Sequence, residues 1–138
     1  MRRGVEYIFV DTSAWWAYCD VSDQYHQEAI ERMSKMAGNV RLVTTDYVFD
    51  ETITGLRFHA GHKKAVEVGT LLLSSKTVWL VDITPDVRSD AWKMFCKYSD
   101  KGFSFTDCTS FPLMKSLKIK KAFTFDEHFR IMGFEITP

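Results

Sequence analysis

Short apolar runs alternate along the chain with longer amphipathic segments, a pattern that predicts strands separated by helices. Tyr7 to Val10 is apolar and β-prone, and the Asp11-Thr12-Ser13 that follows can end a strand and cap a helix running from Ala14 to Cys19. Ser22 or Asp23 caps a second helical stretch reaching Met36, with Ala29, Ile30, Met33 and Met36 on one face and Gly38-Asn39 as the stop. Val40 to Val43 reads as the second strand. Thr44, Thr45 or Asp46 then caps a helix carrying Val48, Phe49, Thr52, Ile53 and Leu56, and a further helix spans about His62 to Ser74. Thr77 to Val81 is the third strand. Thr84-Pro85-Asp86 opens a helix to about Tyr98, with proline at the first helical position, and Asp100-Lys101-Gly102 breaks the pattern. Thr106 is expected to cap a helix from Asp107 to about Ser116, with Pro112 near its first turn. Lys121 to Phe125 is a fourth strand ending at Asp126, and Phe134 to Thr137 a fifth.

Strands spaced by helices imply right-handed crossovers. The expected fold is therefore α/β, three layers deep (α/β/α), with a mainly parallel sheet of four to five strands flanked by helices. At 138 residues the chain has the size of one domain, spanning 1–138. In such a sheet, sites lie outside the C-terminal ends of the strands. Asp11 and Asp126 stand at strand ends, while Asp107 and Glu51 stand early in helices that begin near the same edge. Any one of these acids alone is explained by capping or surface charge. Gathered at one edge they repel one another, and a hard divalent cation such as Mg²⁺ or Mn²⁺ relieves that repulsion most simply. The choice of Glu51 over its neighbours Asp46 and Asp50 is left open by periodicity.

Composition narrows the picture without deciding it. Eighteen basic residues balance 18 acidic ones, so net charge neither announces nor excludes a nucleic-acid partner. Positive charge gathers in His62-Lys63-Lys64 and in Lys115, Lys118, Lys120 and Lys121, and each cluster alone reads as a solvated helix end. No apolar run approaches the roughly 20 residues needed to cross a bilayer, and the apolar start is too short for a signal peptide. A cytoplasmic protein without membrane association is expected. Cys19, Cys96 and Cys108 lack metal-ligand spacing and read as reduced, packed thiols.

Four blocks carry a family resemblance: Val10-Asp11-Thr12-Ser13, Asp46 to Thr52 around Glu51, Asp100 to Cys108 around Asp107, and Phe123 to Phe129 around Asp126. In order, spacing and total length they resemble the acidic motifs of PIN (PilT N-terminus) domains, and stand-alone VapC-type toxins above all. The resemblance covers nearly the whole chain. It implies a Mg²⁺- or Mn²⁺-dependent endoribonuclease acting on RNA, the toxin of a toxin–antitoxin pair, with an antitoxin protein as partner and a homodimer as the assembly. An RNA-processing nuclease without an antitoxin, or an idle PIN fold serving as a protein-binding module, are the alternatives. A phosphatase of the haloacid dehalogenase kind is disfavoured, because Asp11-Thr12-Ser13 lacks the second aspartate such enzymes use.

On this reading Asp11, Asp107 and Asp126 are metal ligands, with Asp126 acting directly or through water. Glu51 is a further ligand or the group that orients the attacking water. The hydroxyls of Thr12, Ser13 and Thr124 stand beside these acids, and Ser13 in particular is expected to hold a carboxylate. Asp100 is a secondary candidate at the rim, though a turn residue by context. His128 reads as structural more readily than as a proton donor. The aromatics Trp15, Trp16, Tyr18, Tyr25 and Tyr47 suit either the core or stacking on unpaired bases. Trp15 and Trp16 cannot both face inward on one helix, which leaves one for a partner surface.

Overall fold

A computed structural model describes residues 1–36 and 38–138. Its strands are β1 (Glu6–Val10), β2 (Val40–Thr45), β3 (Val78–Val81), β4 (Lys121–Phe123) and β5 (Glu135–Thr137). Its helices are α1 (Thr12–Cys19), α2 (His26–Lys35), α3 (Asp46–Ala60), α4 (His62–Ser74), α5 (Pro85–Lys97), α6 (Phe105–Ser116) and α7 (His128–Ile131). The five strands form one sheet in the order β3-β2-β1-β4-β5, with every pairing parallel. The α/β fold with a parallel sheet flanked by helices agrees with the expectation. The central strand β1 is the most deeply placed: Ile8, Phe9 and Val10 are fully buried, as continuous apolar runs of covered parallel strands should be.

The strand order fixes where a site belongs. The chain moves outward from β1 through β2 to β3, then crosses back to lay β4 on the other side of β1. This reversal opens a crevice beyond the C-terminal ends of β1 and β4. Val10 pairs with Phe123, and the Asp11 N–H still donates to the Phe123 carbonyl at 3.1 Å. Beneath the crevice, Phe111 packs edge-on against Phe103 and Phe129, and Phe129 lies beside Phe9.

Several local expectations are corrected. β2 runs on to Thr45, whose hydroxyl caps α3 by accepting from the Val48 N–H. Helix α2 begins only at His26, because Asp23 spends its carboxylate on the Tyr25 N–H in the preceding turn. Ser104, not Thr106, caps α6, so the helix opens at Phe105 and Pro112 falls well inside it. That proline removes one helical hydrogen bond, and the burial of Phe111, Leu113 and Met114 around it offsets the loss. β4 stops at Phe123: the Thr124 N–H still donates to the Thr137 carbonyl, but the Phe125 and Asp126 N–H groups that follow go to the hydroxyls of Ser13 and Thr124. The single-turn α7 was not expected.

The tryptophan expectation is also corrected. Trp15 is buried and donates to the Thr44 hydroxyl at 3.3 Å. Trp16 also turns toward the protein: it donates to the Thr52 carbonyl at 3.1 Å and lies flush on Gly55 of α3. A Cβ at Gly55 would stand 2.3 Å from the indole. Absence of a side chain there is what lets α1 and α3 approach. Cys96 is exposed rather than packed, while Cys108 is buried.

Candidate active site

Strand β1 delivers Asp11 into the crevice, where it is only 3% exposed. Its Oδ2 accepts from Thr124 Oγ1 at 3.0 Å and from Ser13 Oγ at 3.3 Å. Ser13 Oγ also lies 3.1 Å from Thr124 Oγ1 and accepts the Phe125 N–H at 3.0 Å, while Thr124 Oγ1 accepts the Asp126 N–H at 3.0 Å. This web ties the tip of β1 to the loop after β4 and aims both acids into one space.

Asp107 arrives from the far side, on the first turn of α6. Its Oδ2 accepts the Ser104 N–H at 3.0 Å while its own N–H donates to Ser104 Oγ at 2.9 Å, a reciprocal capping box that fixes the carboxylate. His128 closes the group. Its Nδ1 lies 3.0 Å from Asp107 Oδ2 and 3.1 Å from Asp126 Oδ2, and its ring stands edge-on to Phe103. Oxygen atoms of Asp107 and Asp126 and a nitrogen of His128 thus lie within 4.8 Å of one another. The half-buried Glu51 joins from α3, near enough to the Thr12 and Thr106 hydroxyls and to Asp107 to feel all three. Its rivals are accounted for: Asp46 Oδ1 accepts the Ile83 N–H at 2.9 Å, and Asp50 faces solvent. Asp100 stays outside the group, in an exposed turn with Lys101 at 3.8 Å.

The electrostatics are those of charges crowded without compensation. Among the described residues no lysine or arginine pairs with Asp11, Glu51, Asp107 or Asp126. Burial, followed by the charge of Asp107, raises the Asp11 pKa to about 7. Burial likewise raises Asp107 and Glu51 above the usual carboxylate range, against hydrogen bonds from Ser104 and His128 in the first case and from Thr12 and Thr106 in the second. Thr12 Oγ1 is buried without a well-formed hydrogen bond of its own, although it leans on Glu51. Oxygen donors, an unpartnered hydroxyl and surplus negative charge are what a hard divalent ion needs, so the residues fit one.

The Lys115 to Lys121 cluster does not adjoin this site. Lys121 opens β4 at the opposite edge of the sheet and pairs with Glu6 and Glu135 at 3.7 and 3.8 Å.

The PIN domain pattern matches residues 8–135. The chain belongs to the PIN domain family. PIN nucleases are metal-dependent, in keeping with the donor set described above. Over 132 residues, 95% of this chain and 98% of the relative, it is 34% identical to the 23S rRNA-specific endonuclease VapC20 of Mycobacterium tuberculosis. The crystal structure of that species' VapC20, a sarcin-ricin loop cleaving toxin, superposes with a TM-score of 0.86 at 31% identity, covering 92% of this chain and 95% of that one. The VapBC2 structure from Rickettsia felis, bound to a promoter DNA fragment, matches with a TM-score of 0.66 at 11% identity over 95% of this chain and 97% of that one. At such low identity the match speaks for the PIN fold alone.

Two features of this PIN site escaped the sequence. His128, two residues past an expected strand tip, reads from sequence as structural, yet its ring bridges two carboxylates. Ser104 was hidden behind Thr106 as a rival cap; its spacing of three residues from an acid is the signal that identifies a capping box.

Proposed function

We propose that this protein is an endoribonuclease that uses Mg²⁺ or Mn²⁺ to hydrolyse RNA phosphodiester bonds, and that it is the toxin of a toxin–antitoxin pair. The observation that carries the reading is the uncompensated group of Asp11, Glu51, Asp107 and Asp126 at the switch point between β1 and β4. Asp11, Asp107 and Asp126 would hold the ion, with Glu51 as a further ligand or the group that orients the attacking water. The ion, when bound, neutralises the phosphodiester's negative charge and makes water a better nucleophile.

The remaining chemistry belongs to the chain. Thr124 and Ser13 hold Asp11 by its Oδ2, and the Ser104 capping box holds Asp107, so both carboxylates are set before substrate arrives. His128 Nδ1 sits between Asp107 and Asp126 and keeps their facing oxygens a fixed distance apart. Glu51, with its pKa raised mainly by burial, is suited to accept a proton from water attacking in line with the scissile bond.

The named substrate of the mycobacterial relative makes ribosomal RNA the first substrate to test. Purified protein is incubated with ribosomal RNA in Mn²⁺, in Mg²⁺ and in chelator, and the new ends are sequenced. Discrete cuts that need the ion support the proposal. Intact RNA in every condition would sink it. An antitoxin encoded beside the gene should co-purify with the protein and suppress those cuts.

A further inference from the structure

Asp126 hangs on a loop that leaves the sheet early. The N–H groups of Phe125 and Asp126 go to the hydroxyls of Ser13 and Thr124, at 3.0 Å each, and not to a neighbouring strand. A hydroxyl swings about its own carbon–oxygen bond, so two such contacts hold a loop less firmly than a ladder of backbone bonds does. Asp126 Oδ2 nonetheless stands 3.1 Å from His128 Nδ1, close enough to share that ring with Asp107. A further contact has to fix the chain at Phe125.

That contact is a ring. Tyr25, in the turn between α1 and α2, stacks on Phe125 with centroids 4.6 Å apart and planes 4° from parallel. No other pair of rings among the described residues is as close or as parallel. Tyr25 is 37% exposed and lies outside the buried core, whereas Phe125 packs against that core. Covering Phe125 is therefore what the Tyr25 ring does in the fold. Stacking of flat faces is directional as well as apolar, so it restrains where Phe125 can sit.

The turn that presents Tyr25 is itself fixed. Asp20 Oδ1 accepts from the Ser22 N–H and hydroxyl at 2.9 and 2.7 Å, and Asp23 Oδ1 accepts the Tyr25 N–H at 2.8 Å. His26 Nδ1 lies 2.7 Å from the Ala17 carbonyl and ties the start of α2 back to α1. Ser13 belongs to α1, so α1 and the turn after it grip Phe125 twice, its N–H through Ser13 and its ring through Tyr25. Consecutive Cα atoms stand about 3.8 Å apart, so a chain pinned at Phe125 leaves Asp126 little room to drift.

We propose that Tyr25 is a positioning residue for the acidic site: its stack on Phe125 holds the loop that sets Asp126 against His128 and Asp107. The consequence for metal binding rests on the reading given under Proposed function, while the hold on the loop rests on the fold alone. Groups that orient a metal ligand from behind are commonly worth roughly 10- to 100-fold in affinity.

Wild type, Tyr25→Ala, Tyr25→Leu and Tyr25→Phe are compared in two measurements. The first is amide hydrogen exchange by NMR in chelator. Loss of the flat face in the alanine and leucine variants should speed exchange at Phe125 and Asp126 by about tenfold or more, while Phe9 and Ala122 in the central strands keep their protection. Tyr25→Phe should match wild type throughout. The second is calorimetric titration with Mn²⁺, in which the alanine and leucine variants should bind on the order of tenfold more weakly and Tyr25→Phe as wild type does. Exchange at Phe125 and Asp126 that stays at wild-type rates in Tyr25→Ala or Tyr25→Leu overturns the proposal. So does equally faster exchange at Phe9 and Ala122, because Tyr25 would then support the whole fold rather than the loop. A loosened loop with Mn²⁺ affinity unchanged would also overturn it, since the ring would hold the loop without positioning the site. If wild type binds no Mn²⁺ while the variants loosen the loop alone, the metal reading fails and the hold of Tyr25 on the Asp126 loop stands.

Discussion

Asp11 concentrates the physics of the site in one side chain. Its pKa of about 7 lies above the ordinary 3.8, so between those values the native chain holds a proton that the unfolded chain releases. Stability of the metal-free protein should accordingly fall as pH rises through this window, by up to about 1.4 kcal/mol per unit from this group alone. Asp11→Asn keeps the shape and removes the charge. Urea unfolding in chelator should find the variant more stable than wild type by on the order of 1–3 kcal/mol at pH 8 and nearly equal to it at pH 4. A stability difference that does not change with pH would mean that Asp11 is not a buried, crowded carboxylate. His128 gives a second prediction at this scale. Asparagine can present a donor where Nδ1 stands, so His128→Asn should keep much of the Mn²⁺ affinity, while His128→Ala should lose roughly tenfold or more in calorimetric titration. Equal loss in both variants would count against a role in holding the carboxylates. Asp11 was legible in the sequence because an apolar strand ends on it. Glu51 was not separable from Asp46 and Asp50, since only the fold shows Asp46 bonded to the Ile83 N–H and Asp50 in solvent.

At the scale of elements, the site depends on two helices held at fixed angles to the sheet. α6 is fixed at its start by Ser104. Ser104→Ala should cost about 1 kcal/mol of stability by loss of the cap and, by freeing Asp107, weaken Mn²⁺ binding by about tenfold. Stability lost without any change in metal affinity would show that the cap does not position the carboxylate. α1 and α3, which carry Thr12 and Glu51, are held together where Trp16 lies on Gly55. Alanine usually stabilises a helix relative to glycine by up to about 1 kcal/mol. Here the sign should reverse, and Gly55→Ala should lower stability by about 1–3 kcal/mol in denaturant unfolding because a rigid indole occupies the space. Strand and helix order was readable from the sequence because apolar periodicity and caps carry it. The errors fell where side chains outcompeted periodicity: after Thr124, where two hydroxyls take the Phe125 and Asp126 N–H groups and β4 ends early, and at Pro112, which a buried helix tolerates in its interior.

Across the whole molecule, charge and function are segregated along the sheet axis. The acids crowd the edge where β1 and β4 end, while the Lys115 to Lys121 cluster lies at the other. Sequence could list both sets, but only the crossover from β3 back to β4 decides which of them meet. The central claim is that the acids at this switch point bind a divalent ion and cut RNA. Its most direct test is cleavage of ribosomal RNA by purified wild type and Asp107→Asn in Mn²⁺, with ends mapped by sequencing. Wild type should give discrete cuts that chelator abolishes, and Asp107→Asn, though folded, should give none. Cleavage by Asp107→Asn at the wild-type rate, or by wild type in chelator, would contradict it.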